Sequence, residues 1–406
     1  MRFFAAAILT RTYILVQHDL HAEGLSAKRA TFFQKGPGLV TESALREAVA
    51  ARCARLREAL AGSPAEALLV TAPADVGYLS GFTGEDSWLV VGKGRGWVLT
   101  DGRFAEEVER ECPDFASTIR KGPMVEALAK VVRRKRIGCL AYDAAHVSVA
   151  LASRLGRGLK GVRLVKLEGA VTRLRVRKDA VELRAIRRAV RVAEEGWRVF
   201  RRRIRLGMTE QALAAELDHR MRLAGADAPA FRTIVGIDGT AARPHALPGR
   251  RRLKRGSVLV VDFGARVGGY VCDLTRVLFA GRIAPRARRV YEIVYAAQAA
   301  GIAAVGPGVK ASDVDAAARA VIEEAGYGQK FRHGLGHGLG REVHEEPRLG
   351  PHGPTSTLEP GMVVTVEPGI YLKGRLGVRL EDDVLVTSTG RMVLTHVEKD
   401  PEAIIL

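Results

Sequence analysis

Aromatic residues are scarce, at 6% of the 406 residues, and no aromatic-rich strand of the RNA-binding kind is present. The four cysteines (Cys53, Cys112, Cys139, Cys272) lie far apart with no C-x-x-C pair. That spacing excludes a disulfide framework and suits a reducing cytoplasm. No apolar run reaches the roughly 18 residues of a membrane span, which argues against a membrane partner. The apolar start, Met1–Thr10, is interrupted by Arg11 and lacks a small-residue cleavage site, so it does not read as a secretory signal. Acidic residues are also short: 45 Asp+Glu against 64 Lys+Arg give a formal charge of +19. Such a balance makes nucleic acid, an acidic partner or an anionic surface worth testing, and says nothing of the fold. The basic run Arg173–Arg205 alternates with Leu, Ile and Val at helical spacing, which reads as a solvated helix face; a second run spans residues 250–255.

What is present is the composition of a soluble globular protein, 47% hydrophobic and 27% charged, at a length that suits two domains. Residues 1–41 show no sustained period and are expected to be a disordered extension or to lie upstream of the real start. Over residues 42–170, strand-like runs (67–71, 87–91, 96–100, 137–142) alternate with helical ones (42–60, from 103, 124–133, 147–156), which implies a small α/β domain. Over residues 171–406, helices at about 178–206, 209–225 and 286–305 flank strands within 256–279 and beyond Met362. This second part reads as an α+β domain built on a largely antiparallel sheet. Ser312 and Asp315 have the spacing of a capping box opening a further helix that stops at Gly326.

Two carboxylate pairs stand out. Asp262 and Asp273 lie in strand-like runs whose midpoint falls between Val267 and Gly268; a hairpin centred there sets the two acids directly opposite each other. Glu367 and Glu381 are symmetric about Gly374, although Pro368 removes a ladder donor between them. Acids facing each other on apolar strands repel and are desolvated together, and Arg379 is the only obvious local cation. Two divalent ions answer the repulsion: four carboxylates and one imidazole set −4 against +4. Carboxylate-rich ligation favours manganese, with cobalt or zinc as alternatives. Two ions about 3.5–4 Å apart would make water nucleophilic near neutral pH and polarise a carbonyl. Between the pairs, residues 331–347 hold three histidines and four glycines. Their spacing is neither the G-x-G-x-x-G of a dinucleotide loop, nor a P-loop, nor H-E-x-x-H. The glycines read as letting backbone pass close to metal and substrate.

Taken together, Pro244-His245, Val261–Gly264, Cys272–Arg276, His333–His337, Val343–Glu345, Val366–Tyr371 and Arg379–Glu381 resemble the proline-specific metallopeptidases, the family of aminopeptidase P and prolidase. The resemblance implies an α+β pita-bread catalytic domain with a pseudo-twofold antiparallel sheet, preceded by a smaller α/β creatinase-like domain. It implies that Asp262, Asp273, His337, Glu367 and Glu381 hold two metal ions, Asp273 and Glu381 bridging them, with Glu367 also the general base. His245 and His344 would bind substrate and stabilise the oxyanion, Arg379 would orient ligands from behind, and His333 would line the pocket. Gly77–Gly84 and Leu99–Phe104 resemble the bacterial aminopeptidase P-like members, which implies release of the N-terminal residue from peptides with proline second. Prolidase action on Xaa-Pro dipeptides is the alternative, and a non-catalytic basic binding protein on the same fold is a third reading. A homodimer is implied as well. Arg243, where the family carries a small or amide residue, departs from the pattern. His18, His21, His146, His219, His352 and His396 have no such company and read as ordinary surface residues.

Overall fold

The computed structural model describes residues 41–351 and 356–406. The expected extension over residues 1–41 lies outside the described residues, as do His18, His21 and His352, except for Thr41. The Thr41 hydroxyl accepts the Ala44 N–H and caps the helix Glu42–Ala61. Residues Thr41–Leu406 form one compact unit.

The first sheet has six strands in the order Ala116–Arg120, Trp97–Asp101, Trp88–Gly92, Ala67–Val70, Cys139–Tyr142, Arg163–Lys166. The pairings Ala67–Val70 with Trp88–Gly92 and Trp88–Gly92 with Trp97–Asp101 are antiparallel, and the other three are parallel. Ala67–Val70 and Cys139–Tyr142 are buried at every position, as expected of apolar strands covered on both faces. The two edge strands carry no signal in the sequence. They hold only half-exposed and exposed residues, such as Thr118 and Arg163, with none fully buried.

The long helix is Ala180–Arg203, opened by a capping box between Asp179 and Glu182. Its apolar face packs under the strand Val258–Phe263, where Trp197 stacks on Phe263 with centroids 5.0 Å apart. Arg191, Arg198, Arg202 and Arg203 face solvent, as the basic run suggested. Arg175 corrects that reading, for its side chain is 2% exposed and pairs with Asp75, Glu342 and Glu345. The capping box expected at Ser312 and Asp315 is also absent. The helix starts one residue before Ser312, at Ala311 with Lys310 as N-cap, and Asp315 instead accepts two bonds from Arg319 and one from the Leu335 N–H. A carboxylate with a guanidinium one turn away gains more from that fork than from a cap.

Two hairpins carry the acids. In the first, Val258–Phe263 pairs antiparallel with Leu274–Phe279, and Asp262 stands opposite Thr275, not Asp273. The expected register is corrected by two residues because the turn is Gly268-Gly269, both at positive φ (58° and 80°), closed by Val267 and Tyr270. A two-residue hairpin turn of this kind needs φ above zero, which glycine adopts freely and the β-branched Val267 does not. A shift of two keeps every side chain on its face, so Asp262 and Asp273 remain neighbours on a diagonal. In the second, Gly369–Leu372 pairs with Leu376–Arg379 and Val363–Val366 with Asp382–Val386, both in the register centred on Gly374 that the sequence suggested. Pro368 interrupts the ladder between them, where Glu367 and Glu381 face each other. The hairpins meet at a bridge between Thr275 and Glu381.

Candidate metal and active site

All nine residues singled out from the sequence line one cavity of about 1050 Å³: Asp262, Asp273, Glu367, Glu381, His245, His333, His337, His344 and Arg379. Asp273, His337 and Glu381 offer ligand atoms that all lie within 4.8 Å of one another. His337 Nε2 stands 3.5 Å from Glu367 Oε1 and 4.0 Å from Asp273 Oδ2. Asp262 sits beside Asp273, close enough for each to feel the other's charge, and Arg379 binds it. His344 packs edge-on against His337 at 4.4 Å between centroids. His245 lies at the exposed rim, next to Pro244, whose carbonyl accepts from Arg379. Arg243 is not among the lining residues.

The electrostatics of this group call for a cation. Burial pushes Asp273 well above the usual carboxylate range, and the charges of Glu381 and Asp262 push it further. Burial does the same to Glu381, followed by the charge of Glu367, and lifts Glu367 to about 8. Asp262 is raised by burial against the opposing pull of Arg379. Asp262 Oδ1 and Asp273 Oδ1 are buried without any hydrogen-bond partner, a costly state unless something positive binds them.

His337 makes the same point from its proton. Its Nδ1 lies 3.0 Å from the Gly338 carbonyl and must therefore donate to it. Burial holds the ring neutral, at about 4. The Nε2 lone pair then faces two carboxyl groups with no hydrogen of its own to offer, and a cation held by the three would reconcile them. The residues present thus fit a carboxylate-rich divalent metal centre.

Two residues to which the sequence assigns no role tie the group together. The Thr275 hydroxyl donates to Glu381 Oε2 at 2.7 Å and accepts from Arg379 Nε at 3.0 Å. His333 Nδ1 donates to the Gly334 carbonyl, so its Nε2 accepts from the Tyr371 hydroxyl at 3.0 Å, and that oxygen accepts from Arg379 at 3.1 Å. Placing the first turn on the two glycines would have paired Thr275 with Asp262 from sequence alone. Of the glycines in residues 331–347, Gly334 and Gly336 line the cavity, and close packing of the chain adds a further demand for glycine here. A Cβ on Gly336 would lie 2.0 Å from the Thr365 carbonyl oxygen, and one on Gly338 2.2 Å from that of Glu346. They clear neighbouring strands of the protein itself. His146 lies 3.8 Å from Asp75, and neither it nor His219 nor His396 lines the cavity.

Residues 184–388 match metallopeptidase family M24, and residues 52–177 match the creatinase/prolidase N-terminal domain. The chain is 33% identical over 335 residues to an uncharacterized peptidase, YqhT, of Bacillus subtilis, covering 82% of this chain and 95% of the relative. It resembles the solved structure of an X-Pro aminopeptidase from Thermotoga maritima, with a TM-score of 0.81 and 34% identity over 87% of this chain and 99% of that one. It also resembles an Xaa-Pro dipeptidase from Bacillus anthracis, with a TM-score of 0.84 and 32% identity over 88% and 100% of the two chains.

Proposed function

Because the chain belongs to metallopeptidase family M24, with a pita-bread catalytic fold behind a creatinase-type N-terminal domain, we propose that it removes the N-terminal residue from peptides with proline second. The observation that carries a metallopeptidase reading is the convergence of four carboxylates and a neutral histidine on a single cavity. In this reading Asp262, Asp273, His337, Glu367 and Glu381 would hold two divalent ions, manganese by the chemistry of the donors. Bound there, the ions would supply Lewis acidity and lower the pKa of water.

The chain's own groups do the rest. Glu367, ionised once the cations are bound, takes the proton of the attacking water and delivers it to the departing proline nitrogen. His344, beside His337, and His245 at the rim bind the substrate and donate to the oxyanion. Arg379 fixes Asp262 and, through Tyr371, holds His333 against the wall of the pocket. Resemblance of Gly77–Gly84 and Leu99–Phe104 to aminopeptidase P-like proteins favours aminopeptidase over dipeptidase action. We further propose a small N-terminal domain over residues 42–170 and a catalytic domain over 171–406, a homodimer, and a cytoplasmic setting, the last supported by four buried free cysteines. Turnover of an Xaa-Pro-Xaa tripeptide and of the matching Xaa-Pro dipeptide, measured side by side with manganese, tests the choice. A higher kcat/KM on the tripeptide is expected; cleavage confined to the dipeptide would make the protein a prolidase.

A further inference from the structure

The cavity described above separates its charges by depth. Its acidic lining residues, Asp262, Asp273, Glu367 and Glu381, are none of them exposed, whereas its mouth is basic. Five arginines line it among the described residues, and two are committed: Arg379 to Asp262, and Arg319 to Asp315 and the carbonyls of Phe331 and His333. The other three, Arg232, Arg332 and Arg348, are exposed. Arg332 donates to the Gln329 carbonyl and Arg348 stands 3.8 Å from Glu346, beyond hydrogen-bond reach. No hydrogen bond or ion pair commits Arg232 among the described residues. The three sit close to the chemistry in sequence and register, Arg232 two residues before Ile234, which pairs with Asp262, Arg332 preceding His333, and Arg348 pairing with His337 across the ladder.

We propose that Arg232, Arg332 and Arg348 select peptides that carry acidic side chains beyond the proline. The inference rests on the peptidase reading above and specifies the substrate class of the same site. Once divalent ions neutralise the floor, the uncompensated charge of the cavity is positive and lies at its mouth. A guanidinium fork matches a carboxylate in shape and charge and is held at little further ordering cost. At about 1050 Å³ the cavity also lies at the upper end of the roughly 300–1,000 Å³ usual for ligand pockets, so it has room past a dipeptide.

The test compares three peptide amides on the full chain with manganese, Xaa-Pro-Glu-Glu, Xaa-Pro-Gln-Gln and Xaa-Pro-Lys-Lys, at low and high salt. The acidic peptide is expected to exceed the neutral one in kcat/KM on the order of ten-fold, through KM, with the gap closing as salt rises. The triple variant Arg232→Gln/Arg332→Gln/Arg348→Gln should lose the preference. Arg250→Gln/Arg251→Gln, which lowers net charge away from the cavity, should retain it. Anisotropy of the same peptides, labelled at the C-terminus, reports binding independently of turnover. Equal handling of the three peptides by the unaltered protein, or a preference that survives the triple variant, overturns the inference. Selective binding without cleavage of any peptide would instead sink the peptidase reading and leave this one standing.

Discussion

At the scale of single residues, the site is defined by carboxylates that are unstable where they stand. Asp273 shows this most clearly, with one oxygen lacking any partner and the charges of Glu381, Asp262, Asp383 and Glu367 bearing on it. Asp273→Asn keeps the shape and removes the charge. We expect it to cost more than the roughly 10–100-fold typical of residues behind a metal ligand, and to lower bound manganese measured by elemental analysis. Full activity with normal metal content would remove Asp273 from the site. Thr275 acts one step back, holding Glu381 and receiving Arg379. Thr275→Val is close in volume but loses both bonds. It should reduce kcat roughly 10–100-fold while leaving the far-ultraviolet circular dichroism unchanged, and unaltered kinetics would show that Glu381 needs no such support.

Among elements, the hairpins and the loop between them matter most. The loop carrying His344 is folded around the buried carboxylate of Glu345, which accepts the N–H groups of Arg341 and Glu342 and pairs with Arg175 and Lys178. Removing one partner of a buried ion pair leaves the other charge stranded, at a cost of about 3–5 kcal/mol. Glu345→Ala should therefore lower the unfolding free energy from urea titration by an amount in that range and reduce turnover through His344; an unfolding free energy unchanged within error would mean the cluster is solvated in solution. Much at this scale is legible in the sequence. The second hairpin follows its predicted centre at Gly374, because a Lys-Gly-Arg loop between two apolar runs leaves little freedom of register. The first hairpin departs from its predicted centre by one residue, and so from its register by two, because two centres are available and only glycine's tolerance of positive φ separates them. Edge strands such as Arg163–Lys166 stay hidden, since half-exposed segments carry no apolar signal.

For the molecule as a whole, stability and metal binding are coupled through protons. Above about pH 7.5 the histidines His333 and His337, both depressed to about 4 by burial, are neutral in the folded chain and largely so in the unfolded one. Glu367, raised by burial to about 8, keeps its proton in the folded metal-free protein when the unfolded chain has already lost it. The unfolded state then binds fewer protons, so metal-free stability falls as pH rises from about 7.5 through Glu367's folded value to about 8.5. Metal displaces that proton, and the gain in Tm on adding manganese should grow across the same window. A gain that stays flat or shrinks in calorimetric scans would contradict this coupling. The four acids stand out in the sequence because acids paired on apolar strands require a positive charge that the neighbouring residues supply only at Arg379, whereas His337 is singled out by the resemblance to the proline-specific metallopeptidases. The ties to Tyr371 and Arg175 are not legible there, because they join segments that only the fold brings together: Arg175 links Asp75 of the first part to Glu342 and Glu345 of the second.

The central claim, metal-dependent release of the N-terminal residue from peptides with proline second, comes down to one experiment. The purified protein is incubated with an Xaa-Pro-Xaa tripeptide and manganese, with and without a chelator, and the products are identified by mass spectrometry. We expect the free first residue and the Pro-Xaa dipeptide to appear with manganese and to vanish with the chelator. An intact tripeptide under both conditions, or equal cleavage in the presence of the chelator, would contradict it.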